Sequence, residues 1–394
     1  MPADRTHDIV LFGATGFTGA LTAEYLARNA PANCRLALAG RNRAKLEQVR
    51  GQLAKINPAC AELPLLHADV ADADSLRTLA ESTRVVITTV GPYMRYGEPL
   101  VAACAEAGTD YLDLTGESEF VDRMYLRHHD RATFTGARLV HAAGFDSIPH
   151  DLGAYFTVRQ LPKEVPLRVE GVVRVNTRPS SGTLHTLVTA FSRTWQTLSA
   201  ARERRRVEGR PTDRKVGSTP LRPRRVRTLG AWAVPLPAVD PMIVQRSARA
   251  LPEYGPDFRY GHFFATRHLP VIAGLAGTAA GLFALAQIPP ARRWLLARFP
   301  AGDGPSEERR AKSWFSVRFV GLGGGRRVVT EVSGGDPGYD ETAKMLGESA
   351  LCLALDELPA TAGQVTTAAA MGQSLIDRLQ HAGIPFDVLE DRAV

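Results

Sequence analysis

Three features of the sequence predict an α/β protein with an N-terminal Rossmann-type, doubly wound parallel sheet and a second α+β domain containing an antiparallel sheet. Residues 8–19, DIVLFGATGFTG, run from an apolar stretch into three glycines spaced three apart. Strand-like and helix-like segments then alternate to about residue 150. From residue 151 the pattern changes to longer strand-like runs, LRVEGVVRVN and SWFSVRFVGLGGGRRVVTEVSGG, the latter folded through a glycine-rich turn. A chain of 394 residues has room for two cores, and 44% hydrophobic with 23% charged residues describes a globular chain.

The first strand is Ile9–Phe12, and the residues after the turn place Leu21, Tyr25 and Leu26 on one helical face. Gly13 lets the backbone bend, Gly16 lets it approach a pyrophosphate, and Gly19 lets helix and strand pack closely. Ala14, Thr15, Phe17 and Thr18 complete the turn that would present backbone N–H groups to phosphate. A second strand, RLALAG, ends without the acidic residue that would bind a ribose 2′-hydroxyl. It is followed by Arg41 and Lys45, cations suited to a 2′-phosphate, so NADP(H) is the expected cofactor. The third strand, in LPLLHADVAD, puts Asp69 and Val70 near an adenine. The fourth, in RVVITTVGPY, ends at Gly91 and Pro92, where the nicotinamide belongs. A helix and short strand in YGEPLVAACAEAGTDYLDLTGE, then a strand and turn in ARLVHAAGFDSIPHDLG, complete the alternation. None of the nine tyrosines has a lysine four positions on, so the YxxxK apparatus of short-chain dehydrogenases is absent.

Beyond this domain the charge is concentrated. Residues 202–227 carry eleven basic and three acidic residues, a local +8 against a whole-chain +7, which leaves −1 elsewhere. With almost no aromatics for base stacking, the segment does not suit nucleic acid. It reads as a loop, either simply solvated or in contact with anionic headgroups or an acidic partner. Residues 269–288, LPVIAGLAGTAAGLFALAQI, carry no charge. Three readings are open for them: a peripheral contact with a membrane or lipid surface, aided by Trp294 and the arginines of ARRWLLARF; a buried core or dimer helix; and a membrane span. The helix GTLHTLVTAFSRTWQTL could wall a pocket, its His185 being structural. The four cysteines are scattered, and no histidine cluster has ligand spacing. Neither a disulfide framework nor a metal site is expected, and the start of the chain shows no export signal, so a cytoplasmic location is expected.

The glycine turn, VGPY…GEPLVAACAEAGTDYLDLTGE, AGFDSIPHDLG, GGDPGYDETAKMLGESALCLA and AMGQSLIDRLQHAGIPF together resemble the saccharopine dehydrogenase-like oxidoreductases. Within them the nearest resemblance is to the subfamily of mycobacterial trans-acting enoyl reductases. It covers nearly the whole chain, most weakly between about 200 and 310, and departs at AGQVTTAAAMG, where proline is usual. The resemblance implies a Rossmann domain (1–150), a substrate and dimerisation domain (151–340) and C-terminal helices (341–394) that pack back on the first. It also implies a homodimer and reduction of an enoyl thioester on a lipid-linked or acyl-carrier-bound chain.

For such a substrate, hydride goes to the β-carbon, the enolate oxygen needs donors and the α-carbon needs a proton. The candidates are Tyr93, directly after the nicotinamide turn, and Asp146 and His150 in GFDSIPH, beside Ser147. Each also has a plain structural reading: Asp146 and Ser147 as helix caps, Asp113 and Glu117 as loop anchors. Two other functions remain open, a saccharopine-type amino-acid adduct dehydrogenase and a non-catalytic nucleotide-binding protein of lipid surfaces.

Overall fold

The computed structural model describes residues 5–177, 181–209, 212–226, 230–236, 238–266, 269–298 and 304–394. The chain divides into two units. The first comprises Met1–Phe145, Gly302–Pro305 and Gly338–Arg378; the second comprises Asp146–Ala301, Ser306–Pro337 and Leu379–Val394.

The first unit opens with β1 (His7–Phe12), buried along its whole length. A strand covered on both faces must be apolar almost throughout, which is why IVLF is an unbroken run rather than an alternation. It is followed by β2 (Leu36–Gly40), β3 (Leu65–His67), β4 (Thr83–Thr88), β5 (Asp110–Leu112) and β6 (Arg138–Val140). Helices Phe17–Asn29, Arg43–Ile56, Ala73–Ser82, Glu98–Ala107 and Ser118–Thr135 connect them. Asn42 and Asp72 start two of these helices by accepting backbone N–H groups, from Lys45 and from Asp74 and Ser75.

The second unit contains β7 (Leu167–Val175), β8 (Lys215–Ser218), β9 (Arg224–Val226), β10 (Ala231–Pro235), β11 (Asp257–Thr266), β12 (Phe315–Gly323) and β13 (Arg326–Gly334). The chain then re-enters the first unit through the helix Asp340–Leu355 and β14 (Gly363–Val365) and ends in the second with β15 (Phe386–Ala393).

In the first unit the strand order is β14-β6-β5-β4-β1-β2-β3, and every neighbouring pair is parallel. The order reverses between β1 and β4, the place where doubly wound sheets bind ligands at the carboxyl ends of their strands. The returning helix Asp340–Leu355 packs on Phe17–Asn29 and on β1, β4 and β5. Tyr25 fixes it there by donating its hydroxyl to Glu348 at 2.7 Å.

The second sheet has the order β15-β13-β12-β7-β11-β10-β9, with β8 also paired to β11. It is mixed: β11 runs parallel to β7 and β8, and the other pairs are antiparallel. The β12–β13 hairpin turns through Gly324 and Gly325, both at positive φ, as a tight turn matched to strand twist requires. Helix Ile148–Val158 lies against β7, β12 and β13, and helix Asp240–Ala250 lies against that helix and β11.

Two expectations change. The basic segment 202–227 is not a loop. Its start belongs to helix Thr194–Val207 and its later part forms β8 and β9. Several of its cations are used internally: Arg204 is buried and paired with Glu208 at 3.2 Å, Arg214 donates to the Leu251 carbonyl at 2.6 Å, and Arg224 pairs with Glu170. The segment 341–394, expected as helices on the first domain, divides at Leu379. Its end is β15, held by the free edge of β13.

Candidate functional site

At the end of β1 the chain must turn sharply beside β4. Gly13 does so at φ +101°, a left-handed conformation that favours glycine. Its N–H donates to the Ala39 carbonyl at 3.2 Å, and its carbonyl accepts from the Thr89 hydroxyl at 3.1 Å. The turn is therefore tied to both neighbouring strands. Gly19, in the first helical turn, packs so closely that a Cβ there would stand 2.1 Å from the Gly13 carbonyl oxygen. Gly16 sits at the helix start in extended conformation, exposed, with no side chain capping the helix and no acidic residue in its first turn. With no side chain capping it, the start of this helix offers the positive end of its dipole, which favours an anion. Phe17 sets the helix entry by packing edge-on against Tyr339, ring centroids 5.0 Å apart.

The other predicted cofactor residues lie along the same edge of the sheet. Arg41 follows the end of β2 and is exposed, whereas Arg43 is engaged by Glu47 at 3.2 Å. Lys45 is exposed as well, and its backbone N–H caps onto Asn42. Asp69 and Val70 follow β3, whose end is joined to β2 by the Ala68 N–H to Gly40 carbonyl bond of 3.2 Å. Asp69 uses one carboxylate oxygen to accept from the Ala71 N–H at 3.0 Å, shaping that turn. Gly91 and Pro92 lie just past β4, in the loop whose Thr89 holds the glycine turn.

The catalytic candidates fare differently. The Tyr93 hydroxyl is buried, donates to the Thr88 carbonyl at 3.0 Å and accepts from the Leu114 N–H at 3.2 Å. It is a strut between two loops, and its only proton is already committed. Donation to a substrate oxygen, the role expected of it, would require the bond to Thr88 to break. His150 is buried in the second unit, with Nε2 3.4 Å from the Asp240 carboxylate. Asp146, at the start of that unit, is exposed. Ser147 stands at the start of helix Ile148–Val158 but makes no side-chain cap. His185 is half-buried in helix Ser181–Ser192.

Asp113 is a loop anchor: one oxygen accepts the N–H groups of Thr115 (3.0 Å) and Ala142 (2.9 Å). The other accepts from the Tyr111 hydroxyl at 3.0 Å and meets His141 Nδ1 at 2.6 Å. Sequence reasoning missed His141. It follows β6 directly and reads as more strand, and its partner is 28 residues away. Glu117 accepts the Met94 N–H at 3.1 Å, and burial raises its carboxyl above the usual range.

Comparison with known proteins bears on this geometry. The model of the saccharopine dehydrogenase NADP binding domain matches residues 9–140, the span from β1 to the end of β6. A trans-acting enoyl reductase of Mycobacterium tuberculosis is 38% identical over 420 residues, with 97% of this chain and 98% of the relative covered. The chain belongs to the trans-acting enoyl reductase family, among the saccharopine dehydrogenase-like oxidoreductases. A trans-acting enoyl reductase of Mycobacterium ulcerans is 37% identical over 419 residues, covering 97% of each chain. Among solved structures, saccharopine dehydrogenase (L-Glu forming) of Saccharomyces cerevisiae covers 98% of this chain at a TM-score of 0.56 and 12% identity. That likeness is one of fold.

As a member of this family the chain is an NADP-dependent oxidoreductase, and the edge just described fits the cofactor. A Cβ at Gly16 would meet only the Gly13 carbonyl oxygen, at 3.5 Å, so the space before the helix is open to a pyrophosphate.

Proposed function

We propose that this enzyme uses NADPH to reduce an enoyl group on a thioester-linked acyl chain, carried by a lipid or an acyl carrier. The observation that carries the reading is the uncapped helix start beyond Gly13, with Arg41 exposed on the neighbouring strand, in a chain alike over its full length to enoyl reductases. NADPH supplies the hydride. Gly13–Gly19 hold the pyrophosphate, Arg41 and Lys45 the 2′-phosphate, and Asp69 and Val70 border the adenine. Gly91 and Pro92 bear on the nicotinamide end. Of the three acid candidates, Asp146 is the exposed one, and it is the one we assign to proton donation to the α-carbon.

The test is NADPH oxidation by the purified chain with enoyl thioesters of increasing length. Turnover that rises with chain length is expected, and Asp146→Asn should lower kcat about 10²- to 10⁴-fold while NADPH affinity holds. Inertness toward every enoyl thioester, with turnover of saccharopine and NADP, would replace this reading by the amino-acid one.

A lipid-bearing face is proposed from helices Leu269–Gln287 and Pro289–Arg298. Phe283, Leu285, Ile288 and Trp294 are exposed there, and Ala286 is buried. Exposed Arg202, Arg205 and Arg206 at the end of Thr194–Val207 add positive charge to the same unit. Among the described residues no helix is long and apolar enough to cross a membrane, so the contact is peripheral. Phe283→Asp with Trp294→Asp should abolish sedimentation with anionic liposomes. If instead the double variant turns a dimer into a monomer by light scattering, these side chains form a homodimer interface.

A further inference from the structure

Three buried side chains of the second unit converge from separate elements: His150 on helix Ile148–Val158, Asp240 at the start of helix Asp240–Ala250, and His262 on β11. They are 2%, 4% and 1% exposed. His150 Nε2 stands 3.4 Å from Asp240 Oδ1, and His262 Nε2 stands 3.7 Å from Asp240 Oδ2. One ligand atom from each of the three lies within 4.8 Å of the others, and the imidazoles meet edge to face with centroids 4.9 Å apart. Asp240 Oδ1 and His262 Nε2 are buried without a hydrogen-bond partner, although buried polar atoms are nearly always satisfied.

We propose that His150, Asp240 and His262 form a site for a zinc-class divalent metal ion. Tetrahedral bonds of about 2.0–2.2 Å set donor atoms about 3.3–3.6 Å apart. Adjacent donors of an octahedral ion at about 2.1 Å lie only about 3 Å apart. The separations of 3.4 and 3.7 Å, to the two oxygens of Asp240, lie nearer the tetrahedral spacing than the octahedral one. Outer support is present as well: His262 Nδ1 lies 3.2 Å from the Tyr260 hydroxyl, which fixes the ring with Nε2 toward Asp240. Three protein ligands leave a fourth position for water or substrate, the pattern of reactive rather than purely structural zinc sites. This site was invisible in the sequence because positions 150, 240 and 262 show none of the close spacing of linear zinc motifs.

The experiment uses the full chain purified without a polyhistidine tag, stripped with EDTA and titrated with Co²⁺. One equivalent should bind and give the intense visible d–d absorption of four-coordinate cobalt, displaced by Zn²⁺. Asp240→Asn and His262→Gln should each abolish that absorption while keeping the wild-type circular dichroism and NADPH affinity. Tyr260→Phe, which removes only the outer support, should weaken binding about tenfold or more. If the wild-type protein takes up no cobalt, Asp240 is held there as a neutral carboxylic acid and the proposal fails. It fails equally if well-folded Asp240→Asn and His262→Gln both keep the absorption.

Discussion

The glycine turn makes a prediction in which stability and binding separate. In Gly19→Ala the new methyl would lie 2.1 Å from the Gly13 carbonyl oxygen, 2.7 Å from Thr89 Oγ1 and 2.8 Å from the Gly13 carbonyl carbon. Two of these are backbone atoms, which cannot rotate aside, so the turn itself must move. Overpacking of this kind costs about 1–3 kcal/mol, and losing the Thr89 to Gly13 bond adds about 0.5–1.5 kcal/mol. A loss of about 2–4 kcal/mol should lower the melting temperature of the first unit by roughly 5–15 °C. Gly16→Ala is the counterpart. Its methyl would meet only the Gly13 oxygen at 3.5 Å, ordinary contact, and its φ of −87° is open to alanine. The poorer helix cap and the reduced freedom of the unfolded chain offset each other to within about 1 kcal/mol. The same methyl points into the space left for pyrophosphate, so NADPH affinity should fall at least tenfold, about 1.4 kcal/mol. Thermal denaturation and titration of NADPH fluorescence read the two effects. A Gly16→Ala protein that binds NADPH as wild type would refute placement of the pyrophosphate at this turn. A Gly19→Ala protein that melts with wild type would refute the packing argument.

Arg41→Ala should weaken NADPH about tenfold at low salt and leave NADH within about twofold, since an exposed charge-assisted contact is discounted by screening; equal losses would remove Arg41 from cofactor choice. The Arg35 guanidinium, hydrogen-bonded to both oxygens of Asp8 (2.9 and 3.2 Å), holds that carboxyl below its usual range. A depressed carboxylate stabilises above its unfolded pKa and loses that stabilisation as pH falls through the folded value. Asp8→Asn should therefore cost on the order of 1 kcal/mol at pH 7, and the gap to wild type should close as the pH falls below the ordinary aspartate range; a constant gap in acid melts would contradict the ion pair. Tyr93→Phe leaves the Thr88 carbonyl and Leu114 N–H without their partner, which costs about 1–3 kcal/mol of stability. Its kcat should stay within about threefold, whereas a hundredfold drop at unchanged stability would restore Tyr93 as the acid.

What could be read from the sequence was local. The β1 run and its glycines specify a strand, a turn and a helix within some twenty residues, and each glycine answers a steric demand of that short path. The loop role of Asp113 was also visible as an alternative, because a carboxylate next to a turn has backbone donors at hand. His141 was not, since Asp113 and the Phe120 ring that packs on it both come from other elements. The basic segment misled for a related reason. β8 and β9 are short and polar, and they are strands because β11 and β10 offer them edges, not because their own residues prefer extension. β15 likewise exists because β13 has a free edge.

The polar groups near the carboxyl edge of the first sheet divide by direction. Tyr93, Asp113 and Glu117 are buried, and each is spent on a neighbouring loop: Thr88 and Leu114, Thr115 and Ala142, and Met94. A buried group so engaged gives up a satisfied partner if it turns toward a substrate, at about 1–3 kcal/mol for each orphaned atom. These residues therefore act as fixed supports, and a rigid edge is what hydride transfer needs from the protein, because orientation must be set before the reaction. Arg41 and Lys45, by contrast, are exposed, and their charge suits phosphate. Substitutions of the inward groups should then be read in the melting temperature, and those of the outward groups in Kd or kcat.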